Sequence, residues 1–125
     1  MRPSDTRPIR AFLEERHLSF AQEIGGYAAR ALAPRPEPAD DDACRNEARA
    51  LMMEMGTAGW FEPIRARDWR SCCLAREALA AASPLADAVF ALQALGTLPL
   101  LLADESPMRE RWATDALRGR AMAAF

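Results

Sequence analysis

Residues 72–103, CCLAREALAAASPLADAVFALQALGTLPLLLA, decide the fold that the sequence predicts. The stretch is rich in Ala and Leu, which are good helix formers, and it carries few charges. Ser83-Pro84 is typical of a helix N-cap followed by proline at the first helical position, and Gly96 followed by Pro99 is typical of a helix stop. We therefore expect two or three consecutive core helices that face water on no side.

A membrane-spanning helix is the alternative interpretation of this stretch, because about 20 apolar residues are enough to cross a bilayer. Asp87, Gln93 and Pro99 interrupt the apolar run, and polar groups within lipid are costly when nothing pairs them. We therefore expect core helices and no membrane span.

The composition of the whole chain favours one all-α domain. The chain has 125 residues, 50% of them hydrophobic, and a protein of this length buries about two thirds of its unfolded surface. Runs rich in Val, Ile and Thr, which favour strands, are missing. The sixteen basic and eighteen acidic residues are interspersed and give a net charge of −2. This balance argues against nucleic acid or an anionic membrane as the main partner.

The cysteines and the N-terminal residues predict a cytoplasmic protein. The number of cysteines is odd (Cys44, Cys72 and Cys73), and a disulfide between the adjacent Cys72 and Cys73 would be strained. A reducing compartment fits this usage better than secretion. The first 17 residues carry charges throughout and lack the apolar run of a signal peptide.

Periodic apolar residues predict further helices around the core stretch. The expected elements are a long first helix at 8–33, a Pro/Asp loop at 34–42, a second helix at 43–57, core helices at 68–104 and a last helix at 107–118. Together they form an orthogonal or up-and-down bundle of five or six helices. Asp68 is expected as an N-cap, Ser106-Pro107 repeats the start signal, and the aromatic segment around Pro63 is expected to be a loop.

No group of residues predicts catalysis or metal binding. The single histidine, His17, is expected on the solvated surface of the first helix, with no nucleophile placed beside it. A zinc site formed by His17 and the three cysteines is disfavoured, because no Cys-x-x-Cys pair is present and adjacent cysteines on a helix point about 100° apart. The run at 40–42 lacks the glycine and glutamate of a calcium loop. The methionines at 52, 53 and 55 are expected to fill the core.

Several short motifs follow one another at characteristic spacings along the chain. They are ALAP at the end of the first helix, Gly59-Trp60-Phe61, Arg76-Glu77-Ala78-Leu79, Leu95-Gly96 with Pro99-Leu100, and Arg111-Trp112 followed by Gly119. In this order they resemble the N-terminal α-helical domain of the acyl-CoA dehydrogenases, over nearly the whole chain from about residue 12 to 125. The segment FEPIRARDW departs from that family, because it is shorter than the usual loop and lacks its double glycine.

The resemblance implies a part in an FAD-dependent oxidoreductase that acts on CH–CH groups of acyl-CoA. In that family the flavin is held mainly by a middle β-domain and the catalytic glutamate lies in a C-terminal domain, and this chain contains neither motif. We therefore expect the chain alone to hold no FAD and to be non-catalytic. The expected partners are the rest of the enzyme or a complementing chain, further copies in a homo-oligomer, and an electron-transferring flavoprotein.

By resemblance, the helix before Leu95-Gly96 supplies the wall of the acyl-chain pocket. The matching positions are Ala88, Ala91, Leu92 and Leu95, where the two alanines would leave room for a chain or ring. Ordinary core packing of the same residues is the alternative. A second hypothesis for the whole chain is a stand-alone helical interaction module, or a degenerate subunit, that pairs with a longer partner.

Overall fold

The part of the chain that the structure describes is built from helices. A computed structural model describes residues 5–124. A 3-10 helix at Arg7–Phe12 precedes α1 (Glu15–Tyr27, continued by a π-helical turn at Ala28–Leu32), α2 (Asp41–Thr57), α3 (Glu62–Arg65), α4 (Trp69–Ala82), α5 (Pro84–Leu102) and α6 (Pro107–Leu117). No strand occurs between residues 5 and 124, which confirms the predicted all-α class.

Side-chain caps set the beginning of four helices. Each cap accepts a hydrogen bond from the amide N–H three residues later, which satisfies a group that the first turn leaves unpaired. The caps are Asp40 for α2, Asp68 for α4, Ser83 for α5 and Ser106 for α6. Proline follows at the start of α5 and α6, so the predicted starts of α4, α5 and α6 are confirmed.

The predicted first helix at 8–33 is interrupted near its beginning. Leu13 and Glu14 are extended and separate the 3-10 helix from α1. Glu14 and His17 form a capping box, in which each side chain pairs with the backbone of the other residue. The prediction of one continuous helix is wrong here, because this cap starts a new helix and lets Leu13 turn inward, where it is buried.

The segment expected to be a loop around Pro63 forms the short helix α3. Proline is tolerated in the first turn of a helix because its missing N–H would be unpaired there in any case. Phe61 and Ile64 on either side of Pro63 are fully buried. The loop prediction is wrong because burial of these apolar side chains outweighs the turn signal of Pro63.

Helix α5 runs through the predicted stop at Gly96 and Pro99. Pro99 removes an N–H from the helix ladder, but it is exposed, so water can reach the carbonyl that it leaves free. A Cβ added at Gly96 would lie 2.6 Å from the Ala123 Cβ. Gly96 therefore allows the C-terminal residues to pack closely on α5, and the prediction that it ends the helix is wrong.

The core lies where α1, α2, α4 and α5 meet α3 and α6. The rings of Phe61 and Phe90 pack with their centroids 5.7 Å apart. Met52 and Met55 are buried as expected, whereas Met53 is 60% exposed. The core prediction for the methionines therefore holds for two of the three.

Helix α2 crosses the turn that ends α6 at unusually short range. Gly119 has a φ of +71°, and a Cβ on it would lie 2.1 Å from the Met52 carbonyl oxygen. A Cβ on Gly56 would lie 2.3 Å from the Arg118 carbonyl carbon. This contact fixes the point from which the C-terminal residues continue toward α5.

Candidate binding face

An apolar stripe on the outer face of α5 is the main candidate site. Ala88, Leu92, Leu95, Pro99 and Leu102, called the α5 stripe below, follow one another at alternating spacings of four and three, and all five are exposed. The exposed fractions are 50% for Leu92, 52% for Leu95 and 63% for Leu102. The expectation that this stretch faces water on no side is therefore wrong.

The inner face of α5 fixes the direction of the α5 stripe. Phe90, Thr97 and Leu101 are buried on that inner face. Near the beginning of α5, both carboxylate oxygens of Asp87 accept hydrogen bonds of 2.8 Å from the guanidinium of Arg76 on α4. These contacts hold the helix in one rotation about its axis, so the α5 stripe points outward.

Guanidinium groups hold the other end of α5. Arg67 and Arg109 both donate to the Leu101 carbonyl oxygen, at 3.3 and 3.4 Å. Carbonyls of the last helical turn lack intrahelical partners, and positive charge is favourable at this end of a helix. The two arginines therefore anchor the C-terminal end of α5 to α6 and to the segment before α4.

Three of the four predicted wall residues lie on the α5 stripe: Ala88, Leu92 and Leu95. Ala91 is half-buried beside them. Core packing, the alternative for these residues, does not describe Leu92 and Leu95, because about half of each side chain is open to water. Pro99 and Leu102 also lie on the α5 stripe but were not predicted, although they follow the same four-and-three spacing.

Gln93 is a second residue of α5 whose role the sequence did not indicate. It is 1% exposed, and all hydrogen bonds of its side-chain amide go to the C-terminal part of the chain. Its Nε2 donates to the carbonyls of Ala116 and Ala121, at 2.8 and 3.0 Å, and its Oε1 accepts the Ala123 N–H at 2.7 Å. A glutamine in the middle of so apolar a helix was a signal of such a role, although it was predicted only to interrupt the apolar run.

The α5 stripe has the chemistry of a face for apolar ligands. None of its five side chains carries a charge or a hydrogen-bonding group, so it offers nothing to a metal ion or phosphate. Exposed apolar surface of this kind marks an interaction site when it is contiguous. An aliphatic chain or the apolar side of another helix matches it.

Among the described residues, one helix is long and apolar enough to cross a membrane by length and composition. This helix is α5, with 19 residues and a mean hydropathy of 1.7. In this structure the inner face of α5 packs in the helical core. The core helix of a soluble protein can have the same length and composition as a membrane span.

His17 is buried, which corrects its expected place on the solvated surface of α1. Its Nδ1 accepts the Glu14 N–H at 2.9 Å, so the ring proton is on Nε2, which lies 3.2 Å from Asp68 Oδ1. The surface prediction is wrong because the capping box turns the ring toward the beginning of α4. The resulting contact joins the first turns of α1 and α4.

Asp68 lies at the centre of this polar group, which also contains Arg16 and Ser71. Burial alone would raise the pKa of Asp68, but hydrogen bonds from Ser71, Arg16 and His17 outweigh it and lower the pKa to about 2. Ser71 Oγ donates to Asp68 at 2.7 Å. Since Asp68 and not His17 receives this proton, His17 does not activate Ser71 as a nucleophile.

A cavity of about 450 Å³ opens beside this polar group. Phe20 and Trp60 form its apolar side, and Arg16 and Asp68, already paired with each other, form part of its rim. The Trp60 ring is occupied by contacts with Phe20 and Tyr27. Glu23 and Glu62 also line the cavity, and the buried Trp60 Nε1 has no hydrogen-bond partner among the described residues.

The cysteines do not form a metal site. Among the described residues no group of three His, Cys, Asp or Glu side chains could hold a metal ion. Cys72 is buried, and this burial, with smaller contributions from Asp68 and Cys73, raises the pKa of its thiol to about 12. A thiol with such a pKa is a poor metal ligand and nucleophile at neutral pH.

Comparison with known proteins assigns no family to the chain. No protein-family model matches it, and no curated protein matches it either.

Proposed function

We propose that this chain is the helical domain of an acyl-CoA dehydrogenase-like, FAD-dependent oxidoreductase, and that the α5 stripe lines its acyl-chain pocket. The observation that carries the proposal is the exposure of Leu92 and Leu95 next to the small Ala88. A pocket wall needs apolar side chains that are held by the core on one side and open on the other. The order of motifs supports the same family.

The dimensions and chemistry of the α5 stripe fit an aliphatic chain. From Ala88 to Leu102 it extends over fifteen residues, which span about 21 Å at the rise of an α-helix. Complete burial of one methylene group contributes about 0.8 kcal/mol to the free energy of binding. Contact with a single wall buries part of the methylene group and contributes a part of this energy. Affinity for an acyl chain should therefore increase with its length.

The proposed roles of this chain are binding and positioning. FAD supplies the hydride acceptor in the full-length family, and we assign no residue between 5 and 124 to the flavin or to proton abstraction. In the proposed assembly the flavin and the catalytic base come from the rest of the enzyme or from a complementing chain. Oligomer formation and electron transfer to an electron-transferring flavoprotein belong to the same proposal.

Titration of the 125-residue protein with saturated acyl-CoA of increasing chain length tests the proposed wall. We expect calorimetry to show affinity that increases with chain length and no binding of free coenzyme A. Leu95→Asp should abolish this increase, whereas Met53→Asp, at an exposed position on α2, should leave it intact. Affinity independent of chain length, or an equal loss in both variants, would contradict the proposed wall.

A helical interaction module is the second candidate function. The observation that favours it is the alternating spacing of four and three on the α5 stripe, which is the spacing of a helix–helix seam. This function predicts that Leu95→Asp abolishes association with a helical partner while acyl-chain length has no effect on any binding. The same titration therefore separates the two functions.

A further inference from the structure

The C-terminal segment 121–124 is held on α5 by one buried side chain. The amide of Gln93 binds this segment at two backbone groups, the Ala121 carbonyl and the Ala123 N–H. These two groups lie on the same edge of an extended chain, where a side-chain amide can pair with both. The third bond of the amide goes to the Ala116 carbonyl in the last turns of α6.

Glycines allow the segment to reach this position. Gly119 turns the chain at the end of α6 against α2, and its positive φ suits a residue without a Cβ. One turn of α5 beyond Leu92, Gly96 leaves space for Ala123 and Ala124, which a Cβ there would approach to 2.6 Å. The segment therefore passes directly beside the α5 stripe.

We infer that Gln93 is a positioning residue, whose amide binds the backbone of segment 121–124 and fixes the position of this segment relative to the α5 stripe. Two of the three hydrogen bonds of this amide form only when the segment is in place, and these two are the segment's side-chain hydrogen bonds to α5. The Ala121 N–H also donates to the Asp115 carbonyl oxygen at 3.1 Å. If the segment leaves, the buried amide loses two of its three partners, which is unfavourable for a group shielded from water. This positioning does not depend on what binds the α5 stripe.

Two variants displace the segment in different ways. Gln93→Leu removes all three hydrogen bonds at similar side-chain size. Gly96→Ala pushes the segment away by contact with Ala123 while raising the helix propensity of α5, so it separates docking from helix stability. Gly25→Ala is the matched control, because a Cβ there meets nothing within 4 Å.

The rate at which trypsin cleaves the Arg120–Ala121 bond in the full chain shows whether the segment is docked on α5. We expect Gln93→Leu and Gly96→Ala to be cleaved there faster than the wild type by about tenfold or more, and Gly25→Ala at the wild-type rate. Circular dichroism checks that helix content is unchanged. If either folded variant is cleaved at the wild-type rate, the inference is overturned.

Gln93→Glu tests whether Gln93 positions the segment through hydrogen bonds to its backbone or only by packing against it. A carboxylate accepts the Ala123 N–H but cannot donate to the carbonyls, whereas a protonated carboxyl can donate again. We expect hydrogen exchange of the Ala123 amide, corrected for its intrinsic rate, to be fast at pH 8 and slower by about tenfold at pH 5 in this variant. The wild type should show equal protection at both pH values. The same exchange rate at both pH values in the variant would show that Gln93 only fills space.

Discussion

The Nε2 atom of His17 lies 3.2 Å from Oδ1 of Asp68, and this contact connects the capping box of α1 with the N-cap of α4. The first and fourth helices thus share one carboxylate at their beginnings. The side chain of Asp68 is only 12% exposed and also accepts hydrogen bonds from Arg16 and Ser71. Asp68 is therefore a stabilising residue with several partners.

Asp68→Ala should lower the free energy of unfolding by about 2–4 kcal/mol. The substitution removes an N-cap, which contributes about 1 kcal/mol, and leaves the buried His17 without a partner at Nε2, which costs about 1–3 kcal/mol. Urea denaturation measures the change. Asp42→Ala, at an exposed carboxylate that binds only Arg45, is the control and should change stability by less than about 0.5 kcal/mol. Equal effects of the two substitutions would contradict the role of Asp68.

Acid should remove the contribution of Asp68 to stability. Because the pKa falls from 3.8 in the unfolded chain to about 2 in the folded protein, the contribution is complete above pH 3.8 and is lost as the pH falls through 2. With solvent screening taken into account, the lowered pKa contributes about 1–2 kcal/mol to the free energy of unfolding. Thermal unfolding between pH 5 and pH 2 measures it, with Asp68→Asn for comparison. A wild-type curve as flat as that of Asp68→Asn would contradict the lowered pKa.

Gly56→Ala should destabilise the protein strongly although it replaces glycine by a better helix former. The new Cβ would lie 2.3 Å from the backbone of the turn after α6, and that turn would have to move at a cost of about 1–3 kcal/mol or more. Gly25→Ala, which meets no neighbour, should be neutral or stabilising by up to about 1 kcal/mol. Urea denaturation of the two variants tests the close crossing, and a stabilising Gly56→Ala would show that it does not exist.

The three thiols should react in a defined order with a thiol reagent at neutral pH. Cys73 is exposed and should react first, and Cys44 is half-buried and should react more slowly. Cys72 is buried with a pKa of about 12, so it should react only after unfolding. Mass spectrometry of timed samples identifies the labelled residue. Labelling of Cys72 before Cys73 in the folded protein would contradict the described packing of α4.

Local rules predicted the all-α class of the fold and the beginnings of α4, α5 and α6. Asp68, Ser83 and Ser106 are N-caps at the positions predicted from the sequence. An N-cap can be predicted locally because it binds backbone groups only a few residues away. The helix ends were harder to predict. Gly96 and Pro99 do not stop α5, since the exposure of Pro99 and the close contact at Gly96 depend on parts of the chain far away in sequence.

The candidate site was predicted in part. The motif order pointed to Ala88, Leu92 and Leu95, but the apolar composition of α5 predicted burial on every side and hid the exposed face. The burial of Gln93 and His17 was not predicted because their partners are distant in sequence. These partners are Ala121 and Ala123 for Gln93, and Asp68 for His17. Burial of a polar side chain follows from such partners, which the spacing of residues along one helix does not reveal.

The charges at the two ends of α5 set the electric field along its outer face. Arg67 and Arg109 at the Leu101 carbonyl offset the negative end of the helix dipole, and the charge of Asp87 near the other end is paired with Arg76. None of the five side chains of the α5 stripe is charged, so we expect a ligand to be selected there by shape and apolar area. Binding should therefore be insensitive to moderate changes in sodium chloride concentration and become stronger in sulfate, which favours the burial of apolar surface.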